Sequence, residues 1–275
     1  MFAISYGSPG FNLFWPHVLT WGVIISLLSS FASNLWNHAN DLVEDRAQCK
    51  ITVLTQDQLS QKSAIILSSI LYALSGMIYY YYFIRVGRPI HYFFLLWLII
   101  TWWYSDNIFL KKIFGFRLKT HYIGELLTYG IAYPAYTVSI WLIYSELNIS
   151  IIALAVSFSF FGLSGVLLKD LKDISGDRKA GLRTLGVIFS PSKLLYISCF
   201  FLILYYFVIL NFIVLGVFDK GMLLVIIPFI WFIRNTFYYF QKKSWKIEIR
   251  DIGSIRTMVI STYFSLVVLG IGALI

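Results

Sequence analysis

Charge is what this chain has least of. Only 13% of its 275 residues are Asp, Glu, Lys or Arg, against about 25% in soluble domains. Cysteine is almost absent as well. Cys49 and Cys199 are too few and too far apart for a disulfide framework or a zinc site, so each reads as a buried or loop thiol. The start lacks the basic segment and cleavage site of a signal peptide. No hydrophilic domain, low-complexity tract, exact repeat or nucleotide-binding glycine loop is present. The alternation of period two that a membrane β-barrel needs is missing too.

What remains is apolar. Hydrophobic residues make up 59% of the chain, and the mean hydropathy is +0.77. Apolar runs lie near 17–36, 63–84, 89–105, 121–144, 149–168, 194–217, 221–240 and 257–275. Runs of about 18 residues or more read as membrane spans; the third is short. In lipid each segment must satisfy its own backbone polar groups, so the spans are expected as helices. The fold class is an all-α polytopic transmembrane bundle with eight spans.

A net charge of +9 raises nucleic acid as a partner, but its distribution argues for a bilayer. Arg85, Arg88 and Lys220 fall on one side of the expected topology and Arg234 falls inside a span. The remaining cations of the 22 all fall on the other side. Short loops rich in Lys and Arg stay in the cytoplasm, so that side is the cytoplasmic one.

Two acidic stretches share this side. The first, Asn34 to Lys50, holds Asn37, Asn40, Asp41, Glu44 and Asp45 after the span ending near Trp36. The second, Lys169 to Leu185, holds Asp170, Asp173 and Asp177 after the span ending near Leu168. Four spans separate them, so both emerge at one face. Residues four apart share a helix face, which aligns Asp41 with Asp45 and places Asn37 one turn earlier. Asp170 and Asp173 also share a face. Loop charge of the ordinary kind explains any single acid, and intramembrane carboxylates can mark ion or proton pathways. Paired clusters at matching depth point further. Carboxylates there repel and desolvate badly, and a divalent cation between them offsets that cost. All the donors are oxygens, with no His or Cys at a useful spacing, which suits Mg²⁺. Lys50, Lys169, Lys172, Arg178, Lys179 and Arg183 lie beside the acids, and Lys111 to Lys119 add more on the same side. Mg²⁺ with Lys and Arg is how proteins hold and activate a diphosphate. Its organic part would point into the bilayer, so an isoprenoid diphosphate is the natural substrate.

The second stretch resembles the UbiA superfamily of intramembrane prenyltransferases. Asp170-x-x-Asp173-x-x-x-Asp177, preceded by Lys169 and followed by Gly181, Arg183, Thr184 and Leu185, matches its pattern. The first stretch fits in two registers. One starts at Asn40 and runs Asn40-Asp41, Glu44, Gln48. The other takes Asn37, Asp41 and Asp45, with His38 in the second place; Asp41 belongs to both. The family's Arg-Pro pair is replaced by Lys50-Ile-Thr-Val-Leu-Thr. Tyr104-Ser105 and Phe116 to Glu125 resemble the loop that the family lays over its active site, with features of the menaquinone-type branch. In that loop Glu125 reads equally as a helix N-terminal carboxylate or a catalytic acid, and His121 as an interfacial residue.

The resemblance implies a single transmembrane prenyltransferase domain over 1–275, in the cytoplasmic membrane. The family has nine helices against eight counted here, and Met1 to Gly7 resemble the tail of a missing first helix. It implies two Mg²⁺ ions held by Asn37, Asn40, Asp41, Glu44, Asp45, Asp170, Asp173 and Asp177, the five aspartates being catalytic. Diphosphate contacts are expected from Lys50, Tyr104, Lys111, Arg117, Lys119, Lys169, Arg178 and Arg183. The implied reaction is transfer of a prenyl group from a polyprenyl diphosphate to an acceptor, most often an aromatic quinone precursor. Rival readings are a terpene cyclase on the same scaffold, transfer to a non-aromatic lipid, and a non-enzymatic carrier. Tyr79 to Tyr82, Trp102 and Trp103 are read as interfacial aromatic belts rather than as cation-stabilising walls.

Overall fold

The computed structural model describes residues 15–47, 49–248 and 251–274. Met1 to Gly7, Gln48 and Arg250 lie outside them. Every regular element among the described residues is helical, apart from one isolated parallel bridge between His121 and Arg183. The long rods are α1 (Trp15–Asn40), α2 (Gln61–Val86), α3 (Phe93–Ser105), α4 (Tyr122–Tyr144), α5 (Ile149–Lys179), α6 (Pro191–Val214), α7 (Lys220–Lys242) and α8 (Ile252–Gly272). Seven of them are long and apolar enough to cross a membrane. At 1.5 Å per residue, the 13 residues of α3 reach about 20 Å, short of a hydrocarbon core of about 30 Å.

Local chemistry sets the ends. Ser60 caps α2 by accepting from Ser63 N, Asn148 caps α5 by accepting from Ile151 N, and Ser190 caps α6 with Pro191 just inside it. Gly87 closes α2 with φ +66°, a backbone state that favours glycine. Inside α4, Pro134 removes the N–H that Gly130 O would accept. Ser159 Oγ of α5 donates to that carbonyl at 3.2 Å, the kind of repair a membrane helix needs.

The second acidic stretch does not lie in a loop. Helix α5 continues past Leu168 to Lys179 and carries Asp170, Asp173 and Asp177 on regular turns. Its end is closed when Leu182 N donates to Asp177 O at 2.9 Å. Helix α1 likewise runs to Asn40.

The rods pack α1 on α2, α3 on α4, and α5 between α4 and α6. Buried hydroxyls join them, with Ser164 Oγ 3.0 Å from Ser198 Oγ and Tyr205 Oη 2.9 Å from Ser265 Oγ. Helix α8 meets the start of α7 where Gly221 and Gly272 face each other, and a Cβ on either would collide with the other's backbone. The aromatics expected as belts divide. Tyr79 and Tyr82 are buried, with Tyr79 stacked on Phe94 at 4.4 Å and Tyr82 donating to Ile143 O at 2.7 Å. Trp102 lies 4.0 Å from the Trp36 ring. These three pack helices together because a neighbouring rod covers them; Tyr81 stays exposed.

Candidate active site

A cavity of about 770 Å³ opens at the end of the bundle that carries the acids, lined by α1, α3, α4, α5 and α8. The first acidic motif forms part of its mouth. The chain bends at Asp41, yet Asp41 N still donates to Asn37 O at 2.9 Å and Asp45 N to Asp41 O at 2.8 Å. That unbroken step of four keeps Asn37, Asp41 and Asp45 on one face, and all three line the cavity. Asn40 and Glu44 point elsewhere. Asn40 Oδ1 accepts from Asn107 N at 2.9 Å, and Glu44 accepts from Arg117.

Asp41 is 1% exposed and takes one bond on each oxygen, from Arg117 Nη1 at 2.9 Å and from Lys119 Nζ at 2.5 Å. Lys119 lines the cavity, whereas Arg117 is buried behind its wall. Asp45 accepts from His38 Nδ1 at 2.9 Å and lies 3.2 Å from Lys50 Nζ. Burial pushes the Asp45 carboxyl up, but His38 and Lys50 outweigh it and hold it below its ordinary value.

Lys50 joins the two motifs. Its ammonium lies 3.2 Å from Asp45 and 3.3 Å from Asp173. Burial lowers its pKa, and the charges of Asp173 and Asp45 more than reverse that. The segment from Lys50 to Thr55 fixes this position. Thr55 Oγ1 donates to Lys50 O at 2.7 Å and accepts from Thr52 N at 2.8 Å, while Lys50 N donates back to Asp45 O at 3.0 Å.

From α5, Lys169, Lys172 and Asp173 line the cavity. Lys169 Nζ donates to the buried Tyr104 Oη at 3.1 Å. Asp170 and Asp177, on neighbouring turns of the same helix, do not line the cavity. Asp170 accepts from Gly186 N at 3.1 Å, Asp177 from Thr184 Oγ1 at 2.9 Å, and Glu125 from Leu185 N at 2.9 Å. These three carboxylates clamp Thr184 to Gly186 against α5. Gly186 fits because a Cβ there would stand 2.7 Å from Asp170 O. His121 caps α4 by accepting from Ile123 N at 3.2 Å. Lys111, Arg178 and Arg183 are exposed and outside the cavity; Lys111 donates to Asn107 Oδ1 at 3.1 Å. Arg183 acts through its backbone, donating to Thr120 O at 3.0 Å and accepting from Tyr122 N at 2.9 Å.

Below the charged mouth the walls are aromatic: Trp97, Tyr129, Tyr133, Tyr136, Phe158 and Phe161. Sequence reasoning passed over these residues. The available signal was their spacing, with Tyr129 and Tyr133, and Thr128, Ala132 and Tyr136, recurring four apart on α4.

The donors around the mouth suit magnesium. Asn37, Asp41, Asp45 and Asp173 offer oxygen alone, and Mg²⁺ typically binds through one or two carboxylates plus waters and substrate phosphates. No group of three or more His, Cys, Asp or Glu close enough to form a protein cage occurs among the described residues.

A bundle of apolar rods with acids, lysines and an aromatic-walled cavity at one end defines an integral membrane enzyme for a charged head on an apolar tail. The chain belongs to the UbiA prenyltransferase family, whose pattern matches residues 1–248. It is 34% identical over 261 residues to an uncharacterised protein of Archaeoglobus fulgidus, covering 91% of this chain and 86% of that one. Its fold is similar to a solved structure of digeranylgeranylglyceryl phosphate synthase. The TM-score is 0.57 at 18% identity, over 94% of this chain and 91% of that one. The protein is thus a membrane prenyltransferase that draws an alkyl group from a polyprenyl diphosphate.

Proposed function

We propose that this enzyme transfers the prenyl group of an allylic polyprenyl diphosphate to an aromatic quinone precursor, with magnesium, at the cytoplasmic face of the cytoplasmic membrane. The observation that carries this reading is the meeting of Asn37, Asp41, Asp45 and Asp173 with Lys50, Lys119, Lys169 and Lys172 above aromatic walls. The cation-rich loops at this end support the cytoplasmic assignment.

Asn37, Asp41, Asp45 and Asp173 would hold the magnesium. The chemistry it supplies there is neutralisation of charge on the departing diphosphate. Lys50, already between the motifs, is placed to bind the diphosphate oxygens, with Lys119, Lys169 and Lys172 around it. The buried pairing with Tyr104 keeps Lys169 aimed into the cavity. As the allylic C–O bond breaks, positive charge develops on the prenyl carbon, where the aromatic faces stabilise it. The acceptor carbon bonds to it and gives up a proton.

The lysines also favour a second reading, in which the acceptor is a lipid bearing a phosphate. Membranes containing the protein are incubated with labelled allylic diphosphate, with and without magnesium, and with each acceptor class in turn. Product formed with the aromatic acceptor supports the first reading. Product formed solely with the phospholipid supports the second, and a cyclised hydrocarbon formed without acceptor contradicts both.

A further inference from the structure

The segment between α3 and α4 brings Arg117 and Lys119 to Asp41, yet the stretch just before them is turned outward. Residues 111–116 are all exposed. Phe109, Ile113, Phe114 and Phe116 are each between 47% and 71% exposed. So dense an exposed apolar patch marks a contact surface.

The stretch is held at both ends. At its start the buried Asp106 accepts from Ile108 N at 2.7 Å and from Leu110 N at 2.5 Å. Asn107 Nδ2 donates to Asn40 O at 2.7 Å. A short helix, Leu110–Phe114, follows, and Gly115 closes it at φ +79°, with its N donating to Lys111 O at 2.8 Å. Beyond it Arg117 and Lys119 bind Asp41. The apolar side chains therefore project from a fixed knuckle.

Its depth says what covers it. At the end of α3, Ser105 Oγ donates to Asn37 Oδ1 at 2.5 Å, in the last turn of α1, and Tyr122 opens α4 shortly afterwards. The knuckle thus leaves the bundle at the level where neighbouring spans end. The lipid-facing stripe of α3 runs into it as well. Leu95 and Ile99 are exposed, and Trp103 comes next at the same step of four. The Trp103 ring lies 4.8 Å from that of Phe114 and 5.5 Å from that of Phe116, and its Nε1 donates to Phe116 O at 3.2 Å. Indoles gather at this boundary of a bilayer. Lys112 stands beside Ile113, where a lysine stem rests among acyl chains and its ammonium reaches lipid phosphates.

We infer that residues 109–116 form a membrane-surface anchor. Phe109, Ile113, Phe114 and Phe116 enter the lipid layer at the end of the bundle that carries the acids, just ahead of Arg117 and Lys119.

The test uses the full chain carrying Cys49→Ser, because Cys49 is exposed and Cys199 is buried. A nitroxide is attached at Phe109→Cys, Lys112→Cys or Ile113→Cys, with Gln56→Cys as a control at an exposed polar position. In phosphatidylcholine–phosphatidylglycerol vesicles, collision with oxygen, which concentrates in lipid, is compared with collision with a water-soluble nickel chelate. Relative to the control, labels at Phe109 and Ile113 should favour oxygen by about 5-fold or more, at a depth of about 5–10 Å. The label at Lys112 should fall between them and the control. In the Ile113→Asp, Phe116→Asp background, the label at Phe109 should shift toward water. Should Phe109→Cys fail to fold, Ile113→Cys decides the matter alone. Nickel access equal to the control would overturn the inference by showing a knuckle that faces water. Labels shielded from both reagents would overturn it in favour of a covering protein, a second copy of this chain included.

Discussion

At the scale of the residue, the two acidic motifs divide their members between the cavity and its supports. Asp45 and Asp173 face the cavity and share Lys50, whereas Asp177, one turn beyond Asp173, lies outside the cavity lining and is held by Thr184. Asp45→Asn and Asp173→Asn should each cut diphosphate release by about 100-fold or more. Asp177→Asn keeps an acceptor for the Thr184 hydroxyl and should cost far less. Release assays on variants matched for membrane insertion check this contrast. Lys50 gives a second expectation. It occupies the place between carboxylates that a divalent cation would share, with its side chain 36% exposed. In metal-free detergent, Lys50→Met should lose about 1 kcal/mol, a fall in Tm of about 2–4 °C. Added magnesium should recover more of that loss than it gains for wild type. Arg117 is different, since it is buried against Asp41. Arg117→Leu leaves that carboxylate short of a partner and should destabilise the protein by about 3 kcal/mol, read by thermal unfolding.

At the scale of the element, hydropathy located the rods well but misplaced what happens at their ends. The run to Leu168 is apolar, and the acids after it read as a loop because charge usually marks one. Their spacing of three and four was the better guide, because α5 keeps its helical hydrogen bonds to Lys179. The same periodicity separates the two registers of the first motif. Steps of four hold through the bend at Asp41, so Asn37, Asp41 and Asp45 reach the cavity while Asn40 and Glu44 rotate away from it. The α7–α8 connection was not legible at all, because its partners become neighbours through the turn. There Asp251 accepts from Tyr239 Oη at 2.6 Å, from Lys243 Nζ at 2.7 Å and from Glu248 N at 2.8 Å. The Lys243 hydrogen bond, with Tyr239 after it, pulls the Asp251 carboxyl down to about 2. A carboxyl with a depressed folded-state pKa stabilises above its unfolded value and loses that contribution as pH falls through the folded one. Wild-type Tm should therefore drop between about pH 4 and pH 2, and Asp251→Asn should start lower at neutral pH and show a shallower drop. Where α8 meets α7, Gly272→Val should cost about 3 kcal/mol by overpacking, seen as lower Tm and reduced folded yield.

At the scale of the whole molecule, topology brings distant acids together. The motifs lie more than a hundred residues apart in the chain, yet Lys50 bridges them. That meeting was inferable from an even number of intervening spans. The aromatic walls were not, because an apolar residue in a membrane span carries no mark of whether it faces lipid, a neighbouring helix or a cavity. Polar residues at intramembrane depth are the better sign, and Thr128, Tyr129, Tyr133 and Tyr136 form such a face on α4.

The central claim is that this cavity cleaves an allylic diphosphate with the help of both motifs. It is tested most directly by magnesium-dependent diphosphate release from labelled donor, in vesicles holding purified wild type, Asp45→Asn or Asp173→Asn. The account predicts release by wild type with magnesium, none without it, and a loss of about 100-fold or more in each variant. Variants that insert normally and release diphosphate at the wild-type rate would contradict it.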